Sequence, residues 1–233
     1  MNITLTSGDF EQFCAIVKNP DKRFIVVDGL IGAGKTTLIK LVSSHCKDKK
    51  IHPIYEPVDI WRQTGALGEF YKDIPAKCYE FQSFVYVTRI KRVILDVLAN
   101  PDADIYILER SIFTDRYIFV EMLRDTLGTI RCNMYNEWWD MWNLLMPIKF
   151  DKWVFLDVSL EESMRRIHNR SRGEESGIDP EYQRNLRVKH IVFYESLKKQ
   201  NHNICIITSE LMDNNFIDNY DVLDEICNKI TAI

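Results

Sequence analysis

The chain has 233 residues, 46% of them hydrophobic, which is the composition of a globular protein with a substantial core. Its 30 lysines and arginines against 34 acidic residues give a net charge of −4, which argues against nucleic acid or an anionic membrane as the main partner. Any site for a small anion therefore requires a local concentration of basic residues.

The six cysteines are widely scattered, and none forms a C-x-x-C pair or lies near a pair of histidines. This distribution predicts neither a disulfide framework nor a zinc site, and it suits a reducing compartment. The first residues, MNITLTSGDFEQF, match neither a signal peptide nor an arginine-rich transit peptide. No apolar run reaches the roughly 18 residues of a membrane span. We therefore expect a soluble intracellular protein, by default cytoplasmic, with no membrane partner.

Apolar runs alternate with helical patterns along the whole chain. A short helix at 9–17, with Asp9 as a possible N-cap, precedes runs at 24–27, 51–55, 105–108, 153–158 and 204–208. Helices are predicted between the runs, most clearly at 76–98 and 181–199, and a closing helix at 222–230. No repeat or low-complexity linker interrupts the pattern. The alternation predicts one α/β domain over residues 1–233, with a five-stranded parallel sheet between layers of helices.

The stretch FIVVDGLIGAGKTTLIKL at 24–41 combines a buried strand, a glycine-rich loop and a helix. The loop fits the pattern GxxxxGK[ST] in the context that gives this pattern its meaning. Its backbone and the helix N-terminus bind phosphates, Lys35 reaches the β and γ phosphates, and the Thr36 hydroxyl binds Mg²⁺. The predicted phosphate-binding residues are Gly29, Ile31, Gly32, Ala33, Gly34, Lys35, Thr36 and Thr37. The sequence thus predicts ATP or another nucleoside triphosphate as a ligand in a P-loop NTPase-type three-layer sandwich, but not the reaction.

Two acidic residues follow directly after predicted strands. Because parallel α/β sheets bind their ligands at the carboxyl ends of the strands, both are candidate site residues. Glu109, after the run at 105–108, is a candidate for holding Mg²⁺ or its water shell. Glu56, after the run at 51–55, is a candidate general base, and a surface turn is an equally good interpretation at this point.

Two helical segments carry further polar or aromatic patterns. Gln82 and Arg89 lie seven residues apart on one helix face with Val85, and such a pair is more often found on the surface than in a site. The segment YNEWWDMWNLLM at 135–146 places Trp138 and Trp142 on one stripe, which predicts core or subunit packing.

The segment 160–177 is unusually rich in arginine for an acidic protein. Arg165, Arg166, Arg170 and Arg172 precede a Gly-Glu-Glu sequence, and Arg166 and Arg170 lie one turn apart. A solvated helix face would explain such a cluster, but a phosphoryl-transfer enzyme needs mobile cations over the transferring group. We therefore favour an arginine-rich lid at about residues 166–178.

Four stretches together resemble the deoxyribonucleoside kinases of the deoxycytidine, deoxyguanosine and mitochondrial thymidine kinase type. They are GLIGAGKTT from Gly29, EPVDIW from Glu56, FQSFVYVTR from Phe81 and ERSIFTDRYIF from Glu109. The sequence RIHNRSRGEESGI from Arg166 resembles the lid of that family. The resemblance implies transfer of the γ-phosphoryl group of ATP or another triphosphate to the 5′-hydroxyl of a deoxyribonucleoside. It also implies nucleotide salvage and a homodimer formed through the helices that contain Ala76 and Trp138.

The resemblance also implies individual roles. Glu56 would take the proton from the 5′-hydroxyl, Arg110 would bind near that hydroxyl and the transferring phosphoryl, and Glu109 would serve Mg²⁺. Gln82 would make paired hydrogen bonds to the base. The other implied nucleoside-binding residues are Trp61, Phe81, Val85 and Phe119 at the base and Tyr71 and Glu175 at the 3′-hydroxyl. The lid residues Arg166, Arg170 and Arg172 would close over the phosphates.

Arg89 and Asp115 bear on the choice of nucleoside. In the thymidine-accepting branch of the family the matching positions are typically apolar, which leaves room for a 5-methyl group. Here both are charged, as in the deoxycytidine and purine branch, and a pair beside the base would offset the cost of burying each charge. We therefore expect deoxyadenosine, deoxyguanosine or deoxycytidine as substrate rather than thymidine.

Some positions depart from the family, and two other functions compete. Asp28 and Leu30 replace the glutamate and asparagine common around the glycine loop, and the sequence after Thr208 resembles the family poorly. A nucleoside monophosphate kinase shares the P-loop and lid, but its phosphate acceptor needs no carboxylate base. A P-loop switch protein is the other alternative, and the chain lacks the Asn-Lys-x-Asp guanine motif.

Overall fold

The fold is organised around a sheet of five parallel strands. A computed structural model describes residues 5–170, 173–175, 178–208 and 219–232. The strands are β1 (Arg23–Gly29), β2 (Ile51–Ile54), β3 (Ile105–Glu109), β4 (Lys152–Asp157) and β5 (Ile204–Thr208), in the order β2-β3-β1-β4-β5. All four pairings are parallel, which confirms the predicted P-loop NTPase-type α/β fold. The central β1 is buried along nearly its whole length because helices cover both faces of the sheet.

Helices of very different lengths flank the sheet. Before β3 they are α1 (Ser7–Val17), α2 (Lys35–His45), α3 (Val58–Gln63), α4 (Ala66–Lys72) and α5 (Ile74–Ala99). After β3 come the short α6 (Ile112–Thr114), a π-helix (Asp115–Val120), α7 (Arg124–Leu145), α8 (Leu160–Arg170), a 3₁₀ turn (Gly173–Glu175), α9 (Pro180–Lys199) and α10 (Tyr220–Thr231). None of these helices in the described part of the chain is long and apolar enough to span a membrane.

One local prediction is wrong in detail. Asp9 is not the N-cap of α1, because Thr6 caps the helix and the Asp9 carboxylate accepts a hydrogen bond from the Thr6 N–H at 2.8 Å. The sequence signals were real, but a capping box places the acidic residue at the third helical position and not at the cap.

The aromatic segment of α7 does not pack into the core of this chain as a whole. Trp138 is 52% exposed, and Ile130, Met134, Met141 and Leu145 are exposed as well. Trp142 is half-buried against the cluster that also contains Tyr135. Of the two alternatives, core packing is therefore wrong for Trp138.

Candidate active site

The glycine loop follows β1 directly and leads into α2, as predicted. Its turn spans Gly29 to Gly34, and Lys35, Thr36 and Thr37 open the helix. The Lys35 ammonium is buried and donates to the backbone oxygen of Leu30 at 3.0 Å. Burial, together with the charge of Arg110, lowers the pKa of Lys35 to about 8. The ammonium thus points back into the loop, where phosphate oxygens would replace carbonyl partners.

Two residues that the sequence analysis missed hold the loop from behind. The Ser163 hydroxyl of α8 donates to the Ile31 carbonyl at 2.8 Å. The Gln183 amide of α9 donates to the same carbonyl at 2.8 Å and to Ser163 Oγ at 2.6 Å. Both side chains are fully buried. No local pattern marks them, because their only signal is contact with a loop more than 130 residues away in sequence.

Gly32 has less space for a side chain than Gly29, the other loop glycine with a known Cβ environment. A Cβ there would lie 2.6 Å from the Ser163 backbone oxygen and 3.0 Å from Ile167, and its φ of +79° is left-handed. Replacing Gly32 with Ala should therefore distort the loop and reduce triphosphate affinity by at least about tenfold, measured by calorimetry. Gly65→Ala is the matched control, since its φ is +75° with nothing within 4 Å of the new Cβ. Equal triphosphate affinity in the two variants would contradict this prediction.

Glu56 lies just after β2, and its surroundings rule out the surface-turn interpretation. Its side chain is 10% exposed, and Oε1 accepts a hydrogen bond from Arg89 Nη2 at 2.8 Å and lies 3.6 Å from Arg110 Nη1. Burial by itself raises the pKa of Glu56, but the charges of Arg110, Arg89 and Lys35 outweigh it and hold the pKa below its usual range. Glu56 is therefore an ionised carboxylate at neutral pH.

Glu109 and Thr36 come together across the end of the sheet. Thr36 Oγ1 donates to Glu109 Oε1 at 2.8 Å, which joins the first turn of α2 to the end of β3. Burial and the nearby charge of Glu56 raise the pKa of Glu109. A cation at this point would relieve both effects, and hydroxyl and carboxylate oxygens are ligands that Mg²⁺ prefers. Among the described residues no group of three or more His, Cys, Asp or Glu side chains could hold a metal.

Gln82 and Arg89 of α5 face inward, although the pattern by itself favoured a surface position. Each is 3% exposed. Arg89 makes a bidentate pair with Asp115, at 2.7 Å from Nε and 3.0 Å from Nη2, and also donates to the Glu109 carbonyl at 3.0 Å. Burial opposes the charge of Arg89, but Asp115 and Glu56 together raise its pKa, so the guanidinium stays charged. The Gln82 amide makes no hydrogen bond to any residue that the structure describes.

Arg110 has the least usual backbone of the site. Its φ is +62°, a left-handed conformation that is uncommon for a residue with a side chain, and the residue is 6% exposed. Its Nη2 donates to the Gly29 carbonyl at 2.9 Å, and its guanidinium lies 4.7 Å from the centre of the Phe119 ring. Strained conformations of this kind persist where the surrounding structure imposes them, often at functional sites.

These side chains line one cavity of about 170 Å³ beside the glycine loop. The lining includes all predicted nucleoside-binding residues whose side chains the structure describes, namely Glu56, Trp61, Tyr71, Phe81, Gln82, Val85, Arg89, Arg110, Asp115 and Phe119. It also includes Ile31, Gly32, Lys35, Thr36, Glu109 and Arg170 from the predicted phosphate side. The cavity therefore combines an aromatic, partly polar half with a cationic half next to the loop.

A few predicted residues lie elsewhere. Arg166 does not line the cavity and donates to the Ala33 carbonyl at 3.1 Å, so it contacts the loop from outside. Thr37 is exposed at the start of α2. Arg172 and the side chain of Glu175 lie outside the described residues.

Part of the cavity wall was not predicted from the sequence. Tyr55, Val58, Leu67, Phe70 and Tyr182 also line it. The Phe70 ring stacks on Phe81 with centres 4.5 Å apart. The sequence does contain a signal for α4, because Leu67, Phe70 and Tyr71 are spaced i, i+3 and i+4, which predicts one apolar face of a helix. Tyr182 lacked such a signal because α9 reaches the cavity only through the tertiary fold.

The fold and the cavity define a class of protein. A glycine loop and a buried lysine face a cavity with an ionised carboxylate and two buried arginines. This is the arrangement of a P-loop phosphotransferase acting on a small molecule.

Comparison with known proteins identifies the family within that class. The chain belongs to the deoxynucleoside kinase family, whose model matches residues 25–233. It is 36% identical over 179 residues to a probable deoxycytidine kinase of Fowlpox virus (strain NVSL). That alignment covers 76% of this chain and 73% of the relative. It is 28% identical over 193 residues to deoxycytidine kinase 2 of Gallus gallus, covering 72% of each. Mitochondrial thymidine kinase 2 of Macaca fascicularis is 31% identical over 166 residues, 69% of this chain and 60% of the relative.

Family membership decides between the functions that the sequence left open. The chain is a phosphotransferase that uses a nucleoside triphosphate as donor and a deoxynucleoside as acceptor. The resemblance noted in the sequence is confirmed. A nucleoside monophosphate kinase and a P-loop switch protein are not favoured.

Proposed function

We propose that this kinase phosphorylates the 5′-hydroxyl of deoxycytidine or of a purine deoxynucleoside in preference to thymidine, as a step of nucleotide salvage. The observation that carries the proposal is the buried Arg89–Asp115 pair beside the Gln82 amide. The deoxycytidine kinases among its relatives support it.

Recognition of the nucleoside base would depend on hydrogen-bond donors and acceptors. The Gln82 amide offers one donor and one acceptor to a base edge. The amino group of cytosine or adenine is a donor that a carboxylate such as Asp115 accepts, and Arg89 donates to O6 of guanine. Thymine presents O4 and a 5-methyl group at this edge, and the methyl group would meet a charged pair.

In the proposed mechanism, Glu56 accepts the proton of the 5′-hydroxyl as the oxygen attacks the γ-phosphorus, and the bond from that phosphorus to the β–γ bridging oxygen breaks to release the nucleoside diphosphate. Its depressed pKa keeps it ionised and ready as a base at neutral pH. Arg110 lies 3.6 Å from Glu56 and is placed to bind the attacking oxygen and the transferring phosphoryl group. Lys35 and the loop N–H groups stabilise the charge that develops on the phosphate oxygens.

We further propose that Thr36 and Glu109 hold Mg²⁺ together with the triphosphate. When bound, the ion would neutralise charge on the β and γ phosphates. The lid residues Arg170, which lines the cavity, and Arg166 and Arg172 would cover these phosphates and exclude water. Tyr71 and Glu175 are proposed to bind the 3′-hydroxyl.

The test of the proposed function is an acceptor panel. The purified chain is incubated with labelled ATP and, in turn, deoxycytidine, deoxyadenosine, deoxyguanosine, thymidine and the corresponding monophosphates. We expect transfer to nucleosides only, with thymidine showing the lowest kcat/KM. A higher kcat/KM for thymidine than for all three other nucleosides would overturn the substrate assignment. A second series with other triphosphates identifies the donor.

The depressed pKa of Lys35 predicts that triphosphate binding depends on pH. Between about 8 and the unperturbed 10.5, the unfolded chain holds this proton and the unliganded folded chain does not, so this group makes the folded state more stable as pH rises. A bound triphosphate favours the charged ammonium, so its binding above pH 8 must take up a proton. We expect triphosphate affinity, measured by calorimetry, to fall by up to about tenfold per pH unit above 8. The Lys35→Arg variant stays charged, so its triphosphate affinity should not fall with pH in this range. An unchanged fall would show that another group causes the pH dependence.

We also propose a homodimer formed through α5 and α7. The exposed residues Ile130, Met134, Trp138, Met141 and Leu145 follow each other at intervals of three or four and form one apolar stripe along α7. A stripe of this size on a soluble protein is typical of a subunit interface. Light scattering of the wild type and of Trp138→Glu tests the proposal, which fails if the wild type is monomeric at micromolar concentration.

A further inference from the structure

Asp28, one of the departures from the family pattern, is the most completely bonded carboxylate near the site. It lies at the end of β1 and is fully buried. Its oxygens accept hydrogen bonds from the Gly29 N–H at 2.8 Å, from Thr114 Oγ1 at 2.6 Å and from His190 Nε2 at 3.0 Å. Burial favours the neutral acid, but His190 and Arg110 outweigh it and hold the pKa of Asp28 well below its usual range. Asp28 therefore joins three separate segments of the chain as a carboxylate.

His190 of α9 is held in one orientation. It is fully buried, and its ring stacks on Phe155 of β4 with centres 5.7 Å apart. Its Nδ1 lies 2.8 Å from the Leu186 carbonyl and its Nε2 lies 3.0 Å from Asp28 Oδ1. The ionised carboxylate of Asp28 can only accept, so the ring donates to it from Nε2. The histidine is thus a fixed donor aimed at Asp28.

Asp28 in turn contacts the residue proposed to act on the transferring group. Arg110 Nε lies 3.5 Å from the same Asp28 oxygen that faces His190. That nitrogen makes no hydrogen bond to any described residue, and Arg110 Nη2 donates to the Gly29 carbonyl at 2.9 Å. The Arg110 guanidinium also lies 4.7 Å from the centre of the Phe119 ring. Asp28 is therefore one of the groups that hold the guanidinium, which lies 3.6 Å from Glu56 on its other side.

We propose that His190 is a positioning residue for phosphoryl transfer, acting through Asp28 to hold Arg110 and the first residue of the glycine loop in their active arrangement. The inference rests on the role proposed above for Arg110. It makes α9, the helix that follows the lid, part of the catalytic framework. It also gives the aspartate at position 28 a function that the glycine-loop pattern does not contain.

The experiment compares His190→Leu, His190→Gln and Asp28→Asn with Tyr194→Phe. Tyr194 lies on the same helix, is buried, and donates to the Val154 carbonyl at 3.2 Å, so its replacement by Phe removes one buried hydrogen bond that does not involve Asp28. We expect His190→Leu and Asp28→Asn to lower kcat by about ten- to a hundredfold with the nucleoside KM within about threefold. His190→Gln, which keeps a donor for Asp28, should recover much of the lost kcat. Tyr194→Phe should lower Tm while keeping kcat.

Coupling gives an independent readout. If His190 acts through Asp28, the double variant Asp28→Asn/His190→Leu should lose no more kcat than either single variant. A folded His190→Leu with kcat within about twofold of wild type, additive losses in the double variant, or no recovery with glutamine would each overturn the inference. If His190→Leu does not fold, His190→Gln and Asp28→Asn test the positioning role instead. Full kcat in Asp28→Asn would then reject that role.

The kcat of an Arg110 variant separates failure of the proposed function from failure of the positioning role. If Arg110→Lys retains full kcat, the role of Arg110 is wrong. If Arg110→Lys loses kcat while the His190 and Asp28 variants do not, only the positioning role is wrong. The comparison uses whichever nucleoside the acceptor panel identifies, so an unexpected substrate leaves the test intact.

Discussion

Replacing Glu56 with Gln is expected to lower kcat by about 10²- to 10⁴-fold, the usual contribution of a general base. The glutamine amide has nearly the same shape as the carboxylate. In the native chain Arg89 Nη2 donates to Glu56 Oε1 at 2.8 Å, and the amide oxygen can accept the same hydrogen bond. It cannot take a proton from the 5′-hydroxyl. Because Gln82, Arg89 and Asp115 are untouched, the Kd of the nucleoside should change by only a few-fold.

Steady-state kinetics and nucleoside titration by calorimetry check this prediction together. Glu121→Gln is the matched control, since Glu121 also pairs with arginines, at 2.6 Å to Arg124 and 3.4 Å to Arg116, but outside the cavity. Unchanged turnover in Glu56→Gln would exclude the base. A loss of nucleoside affinity with unchanged kcat would assign Glu56 to binding.

The second large effect is expected when the buried pair at the base pocket loses one partner. Arg89→Met leaves Asp115 without its bidentate partner and Glu56 without its closest cation. Removing one member of a buried ion pair typically costs about 3–5 kcal/mol of unfolding free energy. The double variant Arg89→Met/Asp115→Ala removes both charges and should regain part of that loss, because no isolated carboxylate remains at position 115.

Chemical denaturation measures these differences, and an exposed pair provides the control. Arg124 and Glu121 form an ion pair at 2.6 Å with side chains 51% and 31% exposed, so Arg124→Met should cost at most about 1 kcal/mol. The double variant should also raise the thymidine-to-deoxycytidine ratio of kcat/KM, because the 5-methyl group then meets apolar neighbours. A double variant less stable than Arg89→Met would show that the charges do not act as a pair.

The candidate site could be predicted where its residues follow a strand or lie on one helix. Glu56 and Glu109 follow β2 and β3, so the rule that parallel sheets bind ligands at their carboxyl ends located both. Gln82 and Arg89 could be placed on one face of α5 but not assigned to the interior, since the local pattern favoured the surface. The burial of the Arg89 charge depends on Asp115, which the fold brings to Arg89 from 26 residues away.

Other parts of the site had no local signal. Asp115 lies on a π-helix that follows the short helix α6 directly. Ser163 and Gln183 behind the loop, and His190 beneath Asp28, are single polar residues on amphipathic helices. In the sequence each looks like an ordinary helix residue, and its role becomes visible only from its hydrogen-bond partner in the fold.

The sequence by itself determined that this chain binds a triphosphate and has a parallel α/β fold, because the loop, its strand and its helix are contiguous and their chemistry is local. The resemblance carried by four short stretches predicted the acceptor side. Only the tertiary structure decided that the polar residues of α5 are buried, that Arg110 adopts a left-handed backbone, and that Asp28 and His190 meet across 162 residues. A buried charge is tolerated only beside a partner, and that partner comes from another part of the chain.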